Sequence, residues 1–360
     1  MRVTFPHMGN IWVPLKAIAN KLDIDLVVPP LTSQRTLSLG VKYSPEMVCL
    51  PFKLTLGNMI EALELGADTI MMLGLYGPCR WGYYHRVQEL ILRELGYDFE
   101  MVKEGLGIRS MVKYVANGAS LREIITALLF GLAKLKVLEE LEQVVCKIRA
   151  IERDKGNATQ IYRDAIKAIA GATDRKAVKR AKQEHLQKLK SLPTVSSPEP
   201  LKIGVIGEFF VAIDTFANMD IEVELGKLGV EVRRTQSVSE WLNLSPFVKA
   251  FGLRERDKSH KAAMPYLSRH VGGDGQQSVG EKVLHARDWD GIVHLEPFGC
   301  LPETMARNIM PSTKERLPAL NIIYDEHTGK TGIINRLEAF VDLLERKQRA
   351  QSKNRQRLAV

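Results

Sequence analysis

Three cysteines stand in contexts that place a thiol at the start of a helix. Cys49 lies in Met47-Val48-Cys49-Leu50-Pro51-Phe52, Cys79 in Gly77-Pro78-Cys79-Arg80-Trp81-Gly82, and Cys300 in Phe298-Gly299-Cys300-Leu301-Pro302-Glu303. The Cys-Leu-Pro triplet occurs twice. Proline suits the first turn of a helix, where its missing N–H is harmless, and the run from Gly82 to Leu95 after Cys79 has helical spacing. The positive end of a helix dipole favours a thiolate, the form that binds metal. An unpaired cysteine is more commonly an inert buried residue, and the shared context of these three weighs against that. Cys146 is different: it sits beside Val144 and Val145 inside a long apolar-striped helix and reads as packing.

Other residues carry weaker signals. Glu208 follows a buried strand, where it serves either as a catalytic acid or base or as a cap for the next helix. Gly272, Gly273, Gly275 and Gly280 precede a helix expected over 281–286 and form either a phosphate cradle or a plain loop; the spacing is neither a Walker A motif nor a dinucleotide fingerprint. Asp325, Glu326 and His327 end a strand and read as capping ahead of proton transfer. Arg80 next to Cys79 and Lys53 shortly after Cys49 are placed to tune a metal group through charge and hydrogen bonds. His7 reads as a loop histidine.

The elements that must position these residues alternate strand and helix. Strands are expected over 2–6, 25–29, 68–73 and 99–102, with helices over 11–22, 53–65 and 82–95 and a polar loop over 32–44. A second series has strands over 201–206, 229–232, 291–295 and 321–325, with helices over 220–228 and 333–344. The fold class is α/β: two doubly wound parallel-sheet (Rossmann- or flavodoxin-like) domains with a helical insertion between them. The expected division is 1–117, a helical segment 118–192, a Pro/Ser-rich linker 193–200, a second α/β unit 201–345 and a basic tail 346–360. In such folds the carboxyl ends of the strands form the ligand edge.

The chain has 360 residues, 45% hydrophobic and 26% charged, enough apolar content for sizeable cores. Its net charge of +9 is local. The segment 175–190 and the stretch 345–357 together carry more than the whole excess, leaving the body slightly acidic. No nucleic-acid motif accompanies them, so neither nucleic acid nor membrane is an expected partner. There is no membrane-length apolar run and no signal-peptide layout, and four scattered cysteines fit metal or catalysis in the cytoplasm better than a disulfide framework.

Segments 49–58 (CLPFKLTLGN), 77–84 (GPCRWGYY), 297–303 (PFGCLPE) and 325–329 (DEHTG) resemble the 2-hydroxyacyl-CoA dehydratase D-component-like family, and more narrowly its CoA protein activase-related branch. The resemblance covers both α/β units. It implies a [4Fe–4S] cluster held by Cys49, Cys79 and Cys300, with one iron lacking a cysteine ligand. It also implies an ATP-dependent activase, an ASKHA-type ATPase, as the donor of low-potential electrons. The implied reaction is a radical dehydration or reduction of a small substrate, with coenzyme A thioesters in the substrate class, in a homodimer or heterodimer. A non-catalytic iron–sulfur accessory protein is the alternative. Structural zinc is disfavoured, because no fourth ligand closes a tetrahedron. The chain has no Walker A lysine motif, so a separate ATPase is needed, and the basic surfaces at 175–190 and 345–357 are available to steer it.

Overall fold

The computed structural model describes residues 1–72, 78–102, 118–195, 199–241 and 255–358. It is an α/β protein with two parallel sheets. In the first, β1 (Val3–Thr4), β2 (Thr69–Ile70) and β3 (Glu100–Met101) lie in that order, and a parallel bridge from Val3 to Leu26 flanks β1 on its other side. The second contains β4 (Lys202–Gly207), β5 (Glu231–Arg233), β6 (Gly291–Pro297) and β7 (Ala319–Tyr324), in the order β5-β4-β6-β7. Each sheet is extended on both sides of its first strand. Where strand order reverses in this way, the loops after neighbouring strands diverge and leave a crevice.

Helices α1 (Trp12–Lys21), α2 (Gln34–Tyr43), α3 (Leu50–Glu64) and α4 (Tyr84–Glu94) accompany the first sheet. Every residue of α3 from Leu50 to Leu63 is buried, as expected for a helix apolar on nearly all sides. Several of its buried polar groups have partners. Lys53 Nζ pairs with Glu326 at 2.5 Å, the Glu61 carboxylate accepts from Thr36 Oγ1 at 2.6 Å, and Asn58 Oδ1 accepts the His7 N–H at 3.1 Å. Helix α2 crosses α3 so closely that a Cβ at Gly40 would overlap the Lys53 carbonyl, and one at Gly57 the Thr36 carbonyl.

Three helices follow: α5 (Leu121–Ile151), α6 (Asn157–Gly171) and α7 (Arg175–Lys190). Ser120 and Glu123 close a capping box at the start of α5. Only Val178, His185 and Leu189 of the cationic α7 are buried, so its lysines and arginines lie along a largely solvated face. Around the second sheet lie α8 (Phe209–Ile213), α9 (Ile221–Lys227), α10 (Val238–Trp241), α11 (Glu255–Ala263), α12 (Gly275–Leu284), α13 (Leu301–Ile309) and α14 (Lys330–Leu358). One apolar cluster runs through both units, joining Phe52, Met59 and Trp81 to Phe210, Val293 and Leu337. Among the described residues, no helix is long and apolar enough to cross a membrane.

Four sequence expectations are corrected. Segment 32–44 is not a loop: Ser33 and Thr36 form a capping box at the start of α2, and Leu37 and Gly40 are buried. Its polar composition hid that cap. The strand expected over 25–29 reduces to the single Leu26 bridge, and that over 68–73 to Thr69–Ile70, with Leu73 outside the described residues. Gly275 and Gly280 lie inside α12, which begins six residues earlier than the glycine content implied, because close helix packing needs small residues there.

Candidate metal centre

Each of the three cysteines is the residue before the first turn of a helix. Cys49 precedes α3 in extended conformation, with Pro51 in the first turn; Cys300 precedes α13, with Pro302 in the same position. Cys79 precedes a 3-10 turn, Arg80–Tyr83, that leads into α4. Cys300 follows β6, whose seven residues are all buried, whereas Cys49 follows the turn after α2. Gly77, before Cys79, lies outside the described residues.

The three segments meet. A Cβ added to Gly273 would lie 3.3 Å from Pro302 Cγ and 3.7 Å from Cys79 Sγ, and one on Gly272 only 2.6 Å from the Cys79 amide nitrogen. Both glycines have positive φ, +85° and +49°. The 272–273 turn is therefore wedged between the Cys79 loop and the start of the Cys300 helix, and Cβ-free residues are required for that approach. Arg80 completes the convergence. Its guanidinium donates to the Met47 carbonyl at 3.2 Å and to the Gly299 carbonyl, one just before Cys49 and the other just before Cys300. The Tyr84 hydroxyl hydrogen-bonds Cys49 Sγ, and Gln88 of α4 donates to Thr55 Oγ1 of α3 at 2.8 Å, which fixes the two helices against each other.

Burial governs the electrostatics. It pushes the Cys49 thiol up to about 11; the Tyr84 hydrogen bond and Arg80 oppose the rise, while Glu208 and Cys79 add to it. Cys79 is raised by burial against the Trp81 N–H, and Cys300 is raised by burial together with Glu303, Glu208 and Cys49. Burial thus works against the expected preference of a helix start for the thiolate, raising all three thiols. All four cysteines are free, and Cys146 is buried with its Sγ 3.6 Å from Glu222 Oε2.

Glu208 follows β4 and caps α8, its Oε2 accepting the Val211 N–H at 2.9 Å. The capping alternative is therefore realised. Burial nevertheless pushes its carboxyl up to about 8, against the Val211 N–H and with Asp274 adding to the rise, so it carries a proton at neutral pH. Lys53 is committed to Glu326 across the two units. Asp325 Oδ1 accepts from the His327 N–H at 3.0 Å and Thr328 Oγ1 at 2.7 Å, a local turn rather than a proton path.

Sequence reasoning missed the partners. Tyr84 gives no signal as a cysteine partner, being one aromatic among several. It also missed the buried pair beneath Cys300: His294 Nε2 lies 2.7 Å from Glu303 Oε2, which also accepts Ser278 Oγ at 2.8 Å, while His294 Nδ1 faces Asn321 Oδ1 at 3.1 Å. A histidine inside an apolar strand followed by glutamate in the first turn of the next helix was the available clue. Among the described residues, no three His, Cys, Asp or Glu side chains stand close enough to hold one metal ion. No protein-family model matches the chain, and no curated protein is significantly similar to it.

Proposed function

We propose that Cys49, Cys79 and Cys300 hold a [4Fe–4S] cluster at the junction of two doubly wound, flavodoxin-like domains joined through the helical segment 118–192. The observation that carries this is the convergence of the three loops that place a cysteine before a helix: Arg80 bonds the carbonyls of Met47 and Gly299, and the 272–273 turn packs against Cys79 and Pro302. A cluster takes each thiolate on a different iron, so its ligands stand further apart than those of a single ion. The donor set fits: three thiols are the ligands such a cluster takes, and binding would displace their protons. Bound there, the cluster supplies one-electron chemistry and an iron without a protein thiolate.

The chain's own residues do the rest. Arg80 and Tyr84 hold the cysteine loops in place, burial excludes water, and Glu208 holds a proton near neutral pH. The activity is that of a 2-hydroxyacyl-CoA dehydratase-like component acting in the cytoplasm, which takes low-potential electrons from an ATP-dependent activase for a radical dehydration or reduction. Met47, Tyr83, Phe298 and Leu301, sequence neighbours of the three cysteines, are large, exposed apolar residues, and they supply a surface on which such a donor can dock.

Anaerobic purification with iron and sulfide quantification and electron paramagnetic resonance tests the proposal. About four irons per chain are expected. Cys49→Ala, Cys79→Ala and Cys300→Ala should each abolish the cluster, and Cys146→Ala should retain it. Full iron content in Cys79→Ala would refute the assignment. A change in the cluster's resonance on adding the activase with ATP and a strong reductant, but not without ATP, supports the electron route. Reduction indifferent to ATP favours the accessory-protein alternative.

A further inference from the structure

We propose that Arg80 is the positioning residue that sets the three cysteine loops in register. The inference rests on the assignment of Cys49, Cys79 and Cys300 to one site. Three observations combine. Arg80 is covalently next to Cys79, so its backbone moves with that thiol. Its two terminal nitrogens reach different carbonyls, Nη1 that of Met47 and Nη2 that of Gly299, two residues before Cys49 and one before Cys300. Both carbonyls belong to residues in left-handed conformation, Met47 at φ +61° and Gly299 at φ +75°.

That conformation is costly for methionine, which has a Cβ. A strained turn persists only where its surroundings hold it, and the guanidinium is the group that holds this one. The two turns also touch: a Cβ on Gly299 would lie 3.4 Å from the Met47 oxygen and 3.5 Å from Arg80 Nη2. Two partially negative carbonyls facing each other repel, and a cation between them converts that repulsion into attraction. The planar fork is required. Lysine offers a point charge on a flexible stem and cannot span two separate carbonyls with fixed geometry. Arg80 touches neither a thiol nor a substrate in this arrangement; it acts through the loops.

The test uses the full-length metal-free protein and Cd²⁺ as a thiolate probe. Cd²⁺ affinity is measured by competition with a chelator, and the bound thiols are counted as those protected from alkylation, located by mass spectrometry. Because thiols at cluster spacing do not share one ion, wild-type protein should bind more than one Cd²⁺ and protect each of Cys49, Cys79 and Cys300. Arg80→Ala should lose affinity by roughly 10–100-fold, the usual consequence of removing a partner that orients metal ligands. Free guanidinium ion, kept below denaturing concentration, should restore much of it, and Arg80→Lys should not. Rescue by guanidinium is the readout that a general loss of fold would not give, and Arg80 is exposed enough for both variants to fold. Equal affinity in wild type and Arg80→Ala would overturn the proposal, as would full affinity in Arg80→Lys. If the three thiols bind Cd²⁺ in an Arg80-dependent way but the protein never assembles iron and sulfide, the clamp stands and the iron–sulfur assignment falls.

Discussion

Glu281 lies within α12 with no exposed surface, and its Oε1 accepts from Gln277 Nε2 at 2.6 Å. Burial pushes its carboxyl from the ordinary 4.5 up to about 8, and Asp274 in the same helix start is pushed to about 6 by burial, partly offset by Arg256. The sign of the linkage follows. Between about 4.5 and 8 the unfolded chain has released the Glu281 proton while the folded protein keeps it, so the folded state binds more protons and loses stability as pH rises. The slope for one such carboxyl approaches about 1.4 kcal/mol per pH unit. Urea midpoints of metal-free protein should therefore fall from pH 5 to pH 8, and Glu281→Gln should flatten that decline. A Glu281→Gln profile parallel to wild type would show that Glu281 ionises freely in the fold.

At the scale of elements, one ion network joins the helical segment to the second sheet. Arg234, just after β5, donates from Nε to Glu222 of α9 at 2.7 Å, from Nη1 to the Gln236 carbonyl at 2.6 Å, and from Nη2 to Glu142 of α5. Glu142 also accepts from the Tyr162 hydroxyl of α6 at 3.3 Å, so α6 joins the network through Glu142. A cleft of about 680 Å³ opens beside it, lined by Cys146, Lys147, Arg233 and Trp289 among others. Removing the cation leaves two largely buried carboxylates facing each other. Arg234→Met should cost roughly 3–5 kcal/mol, the range for orphaning a buried charge, read from urea denaturation. A loss below about 1 kcal/mol, the level of an exposed pair, would mean that water replaces the guanidinium.

Across the whole molecule, the apolar core does not stop at the boundary between the two α/β units. Phe52 and Trp81 share a cluster with Phe210, and the Trp81 and Phe210 ring centroids are 6.0 Å apart. Helix α5 packs against α1 on one side and against β5 and α9 on the other. Lys53 of α3 pairs with Glu326 after β7. With core, helix and ion pair all crossing the same boundary, the metal-free protein should unfold in one cooperative transition, with fluorescence and circular dichroism changes coinciding. Two separated transitions would show that the units are energetically independent.

The sequence by itself placed the three thiols. Proline two residues after Cys49 and Cys300 is a local signal, because proline fixes its own φ and lacks the N–H that a first turn does not use, and both helices start where those prolines require. The strands expected over 201–206 and 291–295 were legible because burial on both faces leaves mostly apolar sequence, and they are found at Lys202–Gly207 and Gly291–Pro297. The first sheet was harder, since β1 and β2 are two residues long and local pattern cannot fix so short a pairing. Only the tertiary structure decided what surrounds the thiols. That Arg80 would reach residues 33 and 219 positions away, that Gly273 would sit against Pro302, and that Tyr84 would meet Cys49 all depend on long-range packing. So does the protonation of the thiols. A helix dipole can be inferred from the residues around a cap, but desolvation is set by everything packed against the group, and at Cys49, Cys79 and Cys300 it raises the thiol.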